Sequence, residues 1–170
     1  MNRLALVLFC FGAPFAFAYQ GTKVGMIDAD RVVQESQKGK AFLAKLDAMS
    51  SDKKNEIQAK TTVLQGLEND LQTKAASLSQ ANLQKIRDDI TSLRKELDRM
   101  TSDAERVMDR ELTEGLDEIR KEMMPIIREV AIEKNLDLVL NLGPKSPVVY
   151  FHDRINITND VIKKYDELQN

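Results

Sequence analysis

Little in this chain can do covalent chemistry. There is no tryptophan, and the one cysteine, Cys10, sits inside the one long apolar run, Leu4 to Phe17. That run of about 14 residues is broken by Gly12 and Pro14, short of the ~20 needed to cross a bilayer. Arg3 precedes it and the small-x-small triplet Ala16-Phe17-Ala18 closes it, so it reads as a secretory signal peptide cleaved after Ala18. The bulky Phe9 before Cys10 argues against a lipoprotein site. The exported remainder then has no thiol, which excludes disulfides, cysteine metal sites and cysteine nucleophiles. Aromatics are also scarce. Beyond residue 18 they are Tyr19, Phe42, Tyr150, Phe151 and Tyr165, so the stretch 38–131 holds Phe42 alone and is a poor candidate for a ligand pocket. Charge of one sign is lacking as well: 24 basic against 27 acidic side chains remain after the leader, with no electrostatic footprint for nucleic acid.

What is present is a long helical middle. From Phe42 to Met124 there is no proline and only Gly66 and Gly115 interrupt a helix-forming composition. Leu43, Ile57, Leu64, Leu71 and Leu78 share one seven-residue register, with Leu46, Leu67 and Ala81 on its partner. The pattern restarts with Leu83, Ile90, Leu97 and Ala104, accompanied by Ile86, Leu93, Met100 and Val107. These are coiled-coil seams. Ser50, Lys53, Lys60, Lys74, Glu111 and Glu114 fall at seam positions, where long polar side chains are tolerable but weakening. After Ala104 the register slips through Met108 and Leu112, a stutter that locally unwinds the supercoil, before Ile119 and Ile126. Pairing Leu78 with Leu83 and Ile57 with Ala104 makes numbers that sum to 161, later 162 as in Leu43 with Ile119. This closes an antiparallel hairpin over 38–131 across a tip at Ser79 to Asn82. Pro125, near the base of the second arm, is a candidate hinge or fixed bend.

The flanks read differently. Lys23 to Asp28 is a strand, followed by a short helix Ala29 to Gln34. Leu136 to Leu140 and, after Gly143-Pro144, Pro147 to Phe151 are further strands. A last helix, Asn159 to Leu168, takes Thr158 as N-cap and Asp160 in its first turn. Asn135 suits the left-handed position that ends a helix. The expected fold class is α+β: a small β body, residues 19–37 and 132–170, carrying a long antiparallel helical hairpin. Fifty-eight residues are a small core for such a lever, so burial by oligomerisation is expected, with Val24, Met26, Leu138, Val139, Leu140 and Val149 as candidate trimer-body residues.

No constellation for an enzyme, cofactor or metal stands out. His152-Asp153 lacks convergent partners and reads as a turn, and Asp88-Asp89 and Asp117-Glu118 lie among basic residues as solvated helix faces. Met49, Met100, Met108, Met123 and Met124 are candidate contacts for varied apolar partners, although seam packing is the commoner reason for methionines at such spacing.

Two stretches carry a resemblance. "KVGMIDADRVVQESQKGKAF" resembles the start of Skp/OmpH-type periplasmic chaperones, in which a strand ending in Asp precedes an Arg-Val pair, a Ser, and Gly-Lys at the base of a long helix. "IIREVAIEKNLDLVLN" and "INITNDVIKKYDE" resemble that family's second half. The resemblance implies a homotrimer with three helical tentacles around a cavity. It also implies ATP-independent binding of unfolded outer-membrane β-barrel proteins in the periplasm, which keeps them from aggregating. Asn135 stands where the family has glycine. The arms depart from the basic pattern of well-known members, with 18 basic and 19 acidic side chains in 38–134, which leaves contact with membrane or lipopolysaccharide open. A structural or adaptor coiled coil of the cell envelope is the alternative. Adaptor hairpins sit among large β domains, and 58 flanking residues count against that.

Overall fold

The structure is a computed structural model, and it describes residues 21–143 and 146–168. The expected leader lies outside the described residues. A parallel two-stranded sheet and two short helices form a body, from which two long helices project. The strands are β1 (Val24–Ile27) and β2 (Leu138–Asn141). The short helices are α1 (Ala29–Glu35) and α4 (Thr158–Glu167), and the arms are α2 (Gln37–Lys74) and α3 (Gln80–Glu133). This is the α+β architecture expected from the sequence. A parallel pair cannot be closed by a tight turn, and here the entire hairpin is the crossover between β1 and β2.

Local chemistry sets most boundaries. Asp28 caps α1, accepting from the Arg31 N–H at 2.9 Å, and Ser36 caps α2, accepting from the Gly39 N–H at 3.2 Å. Ser36 is extended (ψ 155°) and fully buried, so α1 and α2 meet at a corner. A Cβ on Gly39 would come within 1.8 Å of the Val33 carbonyl oxygen, and only glycine permits that approach. Asn135 has φ 52°. With Asn135 N–H bonded to the Ile132 carbonyl and Leu136 N–H to the Ala131 carbonyl, α3 ends in a Schellman motif, as the sequence suggested.

The β1–β2 register pairs Val24 with Leu138, Gly25 with Val139, Met26 with Leu140 and Ile27 with Asn141. Paired residues share a sheet face. Ile27 and Val139 face a core completed by Val32 of α1, Ile119, Met123, Ile126 and Val130 of α3, and Ile157, Val161 and Tyr165 at α4. The body therefore includes the last turns of α3, above the boundary at residue 132 drawn from sequence. The opposite face carries Val24, Met26, Leu138 and Leu140. Met26 is 2 % exposed within the single chain, whereas Leu138 and Leu140 are exposed.

Two expectations are corrected. The stretch Pro147 to Phe151 forms no strand, and Val149 is 99 % exposed. β1 is closed on both sides, by β2 on one and by the Ile157 N–H bonded to the Met26 carbonyl on the other, and the segment does not pair with the remaining edge, that of β2. Thr158 does not cap α4. Its buried hydroxyl accepts from the Asp28 N–H at 2.9 Å and donates to Asn156 Oδ1 at 2.7 Å, tying the end of β1 to the start of α4. Asn156 Oδ1 accepts from the Thr158 N–H instead.

Candidate functional site: the hairpin and its root

The helical arms contain 38 and 54 residues, which at ~1.5 Å per residue gives lengths of about 57 and 81 Å. They turn back on each other earlier than the leucine registers suggest. A 3-10 turn at Ala75–Ser77 follows α2, and Ser79 accepts from the Asn82 N–H at 3.3 Å, capping a helix that starts at Gln80. The expected tip at 79–82 therefore overlaps the first turn of α3. Leu78 and Leu83 occupy the N′ and N4 positions, the places of a hydrophobic staple. Ser79 between two leucines was the sequence signal for the cap.

The register shifts with the tip. Phe42 packs on Gly115, where an added Cβ would lie 2.0 Å from the ring. Phe42, not Leu43, thus faces the opposite arm at this level. Leu43 and Leu112 are exposed, and Ile119 lies in the body core, so the expected Leu43–Ile119 pairing is absent. Two of the polar seam positions acquire partners across the hairpin, Glu111 with Lys45 at 3.2 Å and Lys60 with Glu96 at 2.9 Å, and outside the seam Arg94 reaches Glu68 at 2.5 Å. Exposed pairs of this kind contribute little stability, but each opposes a slip in register.

At the root, both arms meet α4. Lys38 Nζ donates to Glu122 at 2.5 Å and Glu118 at 3.0 Å, and the Tyr165 hydroxyl donates to the other oxygen of Glu122 at 2.7 Å. The Lys38 and Tyr165 hydrogen bonds hold the Glu122 carboxyl below the usual carboxylate range. Glu122 raises the Lys38 ammonium, while burial and then the Glu122 bond raise the Tyr165 phenol. Asp166 of α4 accepts from the Gln37 N–H at 2.8 Å, and Lys164 pairs with Glu129 and Glu133. Three helices are thus clamped by residues far apart in sequence and without a motif, which is why periodicity could not reveal them.

The candidate contact methionines separate. Met49, Met100 and Met108 are half-buried along the arms and Met124 is 53 % exposed, but Met123 is 4 % exposed inside the core. Met123 is inaccessible to a partner while the body is closed. Pro125 lies within an unbroken α3, exposed, between the buried Met123 and Ile126. Of the trimer-body candidates, Leu138, Leu140 and Val149 are exposed, Val24 and Val139 half-buried, and Met26 buried. His152 Nδ1 accepts from the Arg154 N–H at 3.2 Å, closing its own turn. Among the described residues, no cluster of metal-ligating side chains occurs and no helix is long and apolar enough to cross a membrane.

Set beside known proteins, the chain is 24 % identical over 152 residues to the chaperone protein Skp of Yersinia enterocolitica, covering 85 % of this chain and 87 % of that protein. Its fold matches a crystal structure described as an OmpH-like outer membrane chaperone from Caulobacter crescentus CB15. The TM-score is 0.76 at 19 % identity, covering 89 % of this chain and 91 % of the other. The model of the OmpH-like outer membrane protein family matches residues 23–165, from β1 through both arms into α4, and the chain belongs to that Skp/OmpH chaperone family.

Proposed function

We propose that this chain is an ATP-independent periplasmic holdase that binds unfolded outer-membrane β-barrel proteins after export and prevents their aggregation. The observation that carries the reading is the contrast in burial along the hairpin. Between Gly39 and Ile119 only Leu83 and Ile90 are buried, so the apolar seam of both arms stays partly open to a client. The adaptable side chains of Met49, Met100, Met108 and Met124 lie on these arms and could follow varied apolar sequences.

In this reading the working unit is a homotrimer. Leu138 and Leu140 on the outer sheet face, and Val149 and Tyr150 beyond it, are apolar and exposed in one chain. Copies that share strands would cover them and give the unpaired 147–151 segment an edge. Pro125 is the candidate hinge of the arm. Its missing N–H removes one rung of α3, but the buried side chains on either side favour a fixed bend. An unchanged spread of arm widths in scattering from Pro125→Ala would remove the hinge.

The central test dilutes a urea-unfolded outer-membrane β-barrel into the mature protein. Suppression of aggregation at about one trimer per client is expected. Failure to suppress it would leave a structural coiled coil of the envelope. Sedimentation checks the trimer, which a monodisperse monomer would rule out.

A further inference from the structure

The stutter in α3 turns an apolar stripe out of the seam. Ala104, Met108, Leu112 and Leu116 recur every four residues, and each such step carries the stripe about 40° further round the helix. Ala104 and Met108 are half-buried, Leu112 is 41 % exposed, and beyond Leu116 the stripe passes into the body core at Ile119 and Met123. The side on which it emerges follows from the contact of Phe42 with Gly115. At ~100° per residue, Lys38 and Lys45 lie about 40–60° round α2 from Phe42 in one sense, and Glu111 and Glu118 lie as far round α3 from Gly115 in the same sense. Lys38 pairs with Glu118 and Lys45 with Glu111, so equal senses of rotation meet on one side of the hairpin. Leu43, Leu112 and Leu116 are turned about 60–100° in the opposite sense and share the other side, where Leu43 is 38 % exposed. The root of the hairpin thus has two unlike sides. One is closed by ion pairs, and the other bears an apolar ledge of Leu43, Leu112 and Leu116 with Met108 at its edge.

We propose that this ledge is a contact site for apolar segments of an unfolded polypeptide, so that the hairpin binds clients on one side of its root and not on the other. The proposal rests on the holdase reading for its biological occupant. Area argues against a second copy: four part-exposed side chains offer on the order of 200 Å², against roughly 800 Å² per partner in a stable interface. A contact of that size is weak and reversible, and it sets no demand on the exact sequence it meets. The ledge is also firmly placed. Its lower end is continuous with the buried core, and the ion pairs on the opposite side hold the two arms in register beneath it. The four-residue steps that weaken the seam therefore supply the exposed leucines that a regular heptad would have hidden.

The full mature chain is prepared with a photoreactive benzophenone side chain in place of Leu112, and separately in place of the exposed Glu114 on the ion-paired side. Each is irradiated with a urea-unfolded outer-membrane β-barrel after dilution of the denaturant. Position 112 should capture the client roughly fivefold more than position 114, and equal capture overturns the proposal. Leu43→Gln with Leu112→Gln removes only exposed apolar surface, so the melting temperature should stay near that of the parent while client binding weakens roughly fivefold or more. Lys45→Gln with Glu111→Gln, on the other side, should leave client binding unchanged. Binding that survives the leucine pair, or that falls equally in both pairs, overturns the proposal. Capture of a second copy at position 112 without client assigns the ledge to an interface between copies and overturns it too. Aggregation suppression by the parent keeps the two readings apart. Suppression without preferred capture at position 112 removes the ledge and leaves the holdase, and preferred capture without suppression removes the holdase and leaves an apolar binding site.

Discussion

In the body, side chains from β1, α1, α3 and α4 converge until Val32 and Val161 have no exposure at all. In the arms, comparable aliphatic residues such as Leu64, Leu71 and Leu97 reach only half-burial. The difference is one of neighbours, not of composition. A helix packed against a single partner hides one stripe, while an element enclosed on several sides hides nearly everything it carries. Stability is thereby concentrated at one end of the molecule and apolar availability at the other.

The contrast breaks first where burial is deepest. Ile126→Ala should cost about 2–5 kcal/mol, as is usual for a truncated core aliphatic. Leu64→Ala, half-exposed, should cost about 1 kcal/mol by its smaller buried area. Urea denaturation of the two variants checks this, and equal losses would abolish the distinction between body and arm.

The next largest effect lies where the arms touch most closely. Gly115→Ala gains about 1 kcal/mol of helix preference but drives a methyl into the Phe42 ring, and a net loss of about 1–3 kcal/mol is expected from overpacking. Gly66→Ala, with nothing within 4 Å of the added carbon, should stabilise by about 0.5–1 kcal/mol. Opposite signs in thermal melts would confirm that one glycine serves contact and the other does not.

At the root, Tyr165→Phe should cost about 0.5–1.5 kcal/mol for the lost hydrogen bond. Because the folded Glu122 carboxyl lies below its ordinary 4.5, its contribution is fully present above that pH and fades as the pH falls through the folded value. Glu122→Gln should therefore flatten the acid limb of the stability profile below about pH 4.5 while lowering stability at neutral pH. An acid limb as steep as that of the parent would exclude the clamp. The smallest effect belongs to Lys60→Ala, at most about 1 kcal/mol and diminishing with added salt.

Much of this was legible beforehand. The leucine registers announced two arms, the Asn135 cap ended α3 where expected, and Asp28, Ser36 and Gly39, which carried the resemblance, proved to be two helix caps and a close contact. The tip was misplaced because a heptad register is indifferent to a shift of one turn, whereas the Ser79 hydroxyl selects a particular residue to start α3. The 147–151 segment was misread because β-branched composition advertises a strand without supplying the partner strand it must bond to.

Helices, caps and turn residues follow from interactions a few positions apart, so the sequence by itself determined that this chain makes two long arms on a small α+β base. Only the tertiary structure decided which faces meet. It set Phe42 on Gly115, spent the Thr158 hydroxyl on β1, joined Lys38, Glu122 and Tyr165 across more than a hundred residues, and sealed Met123 in the core while leaving Met124 exposed. Those outcomes depend on surfaces that become neighbours only after the chain has turned back on itself, and no local pattern encodes them.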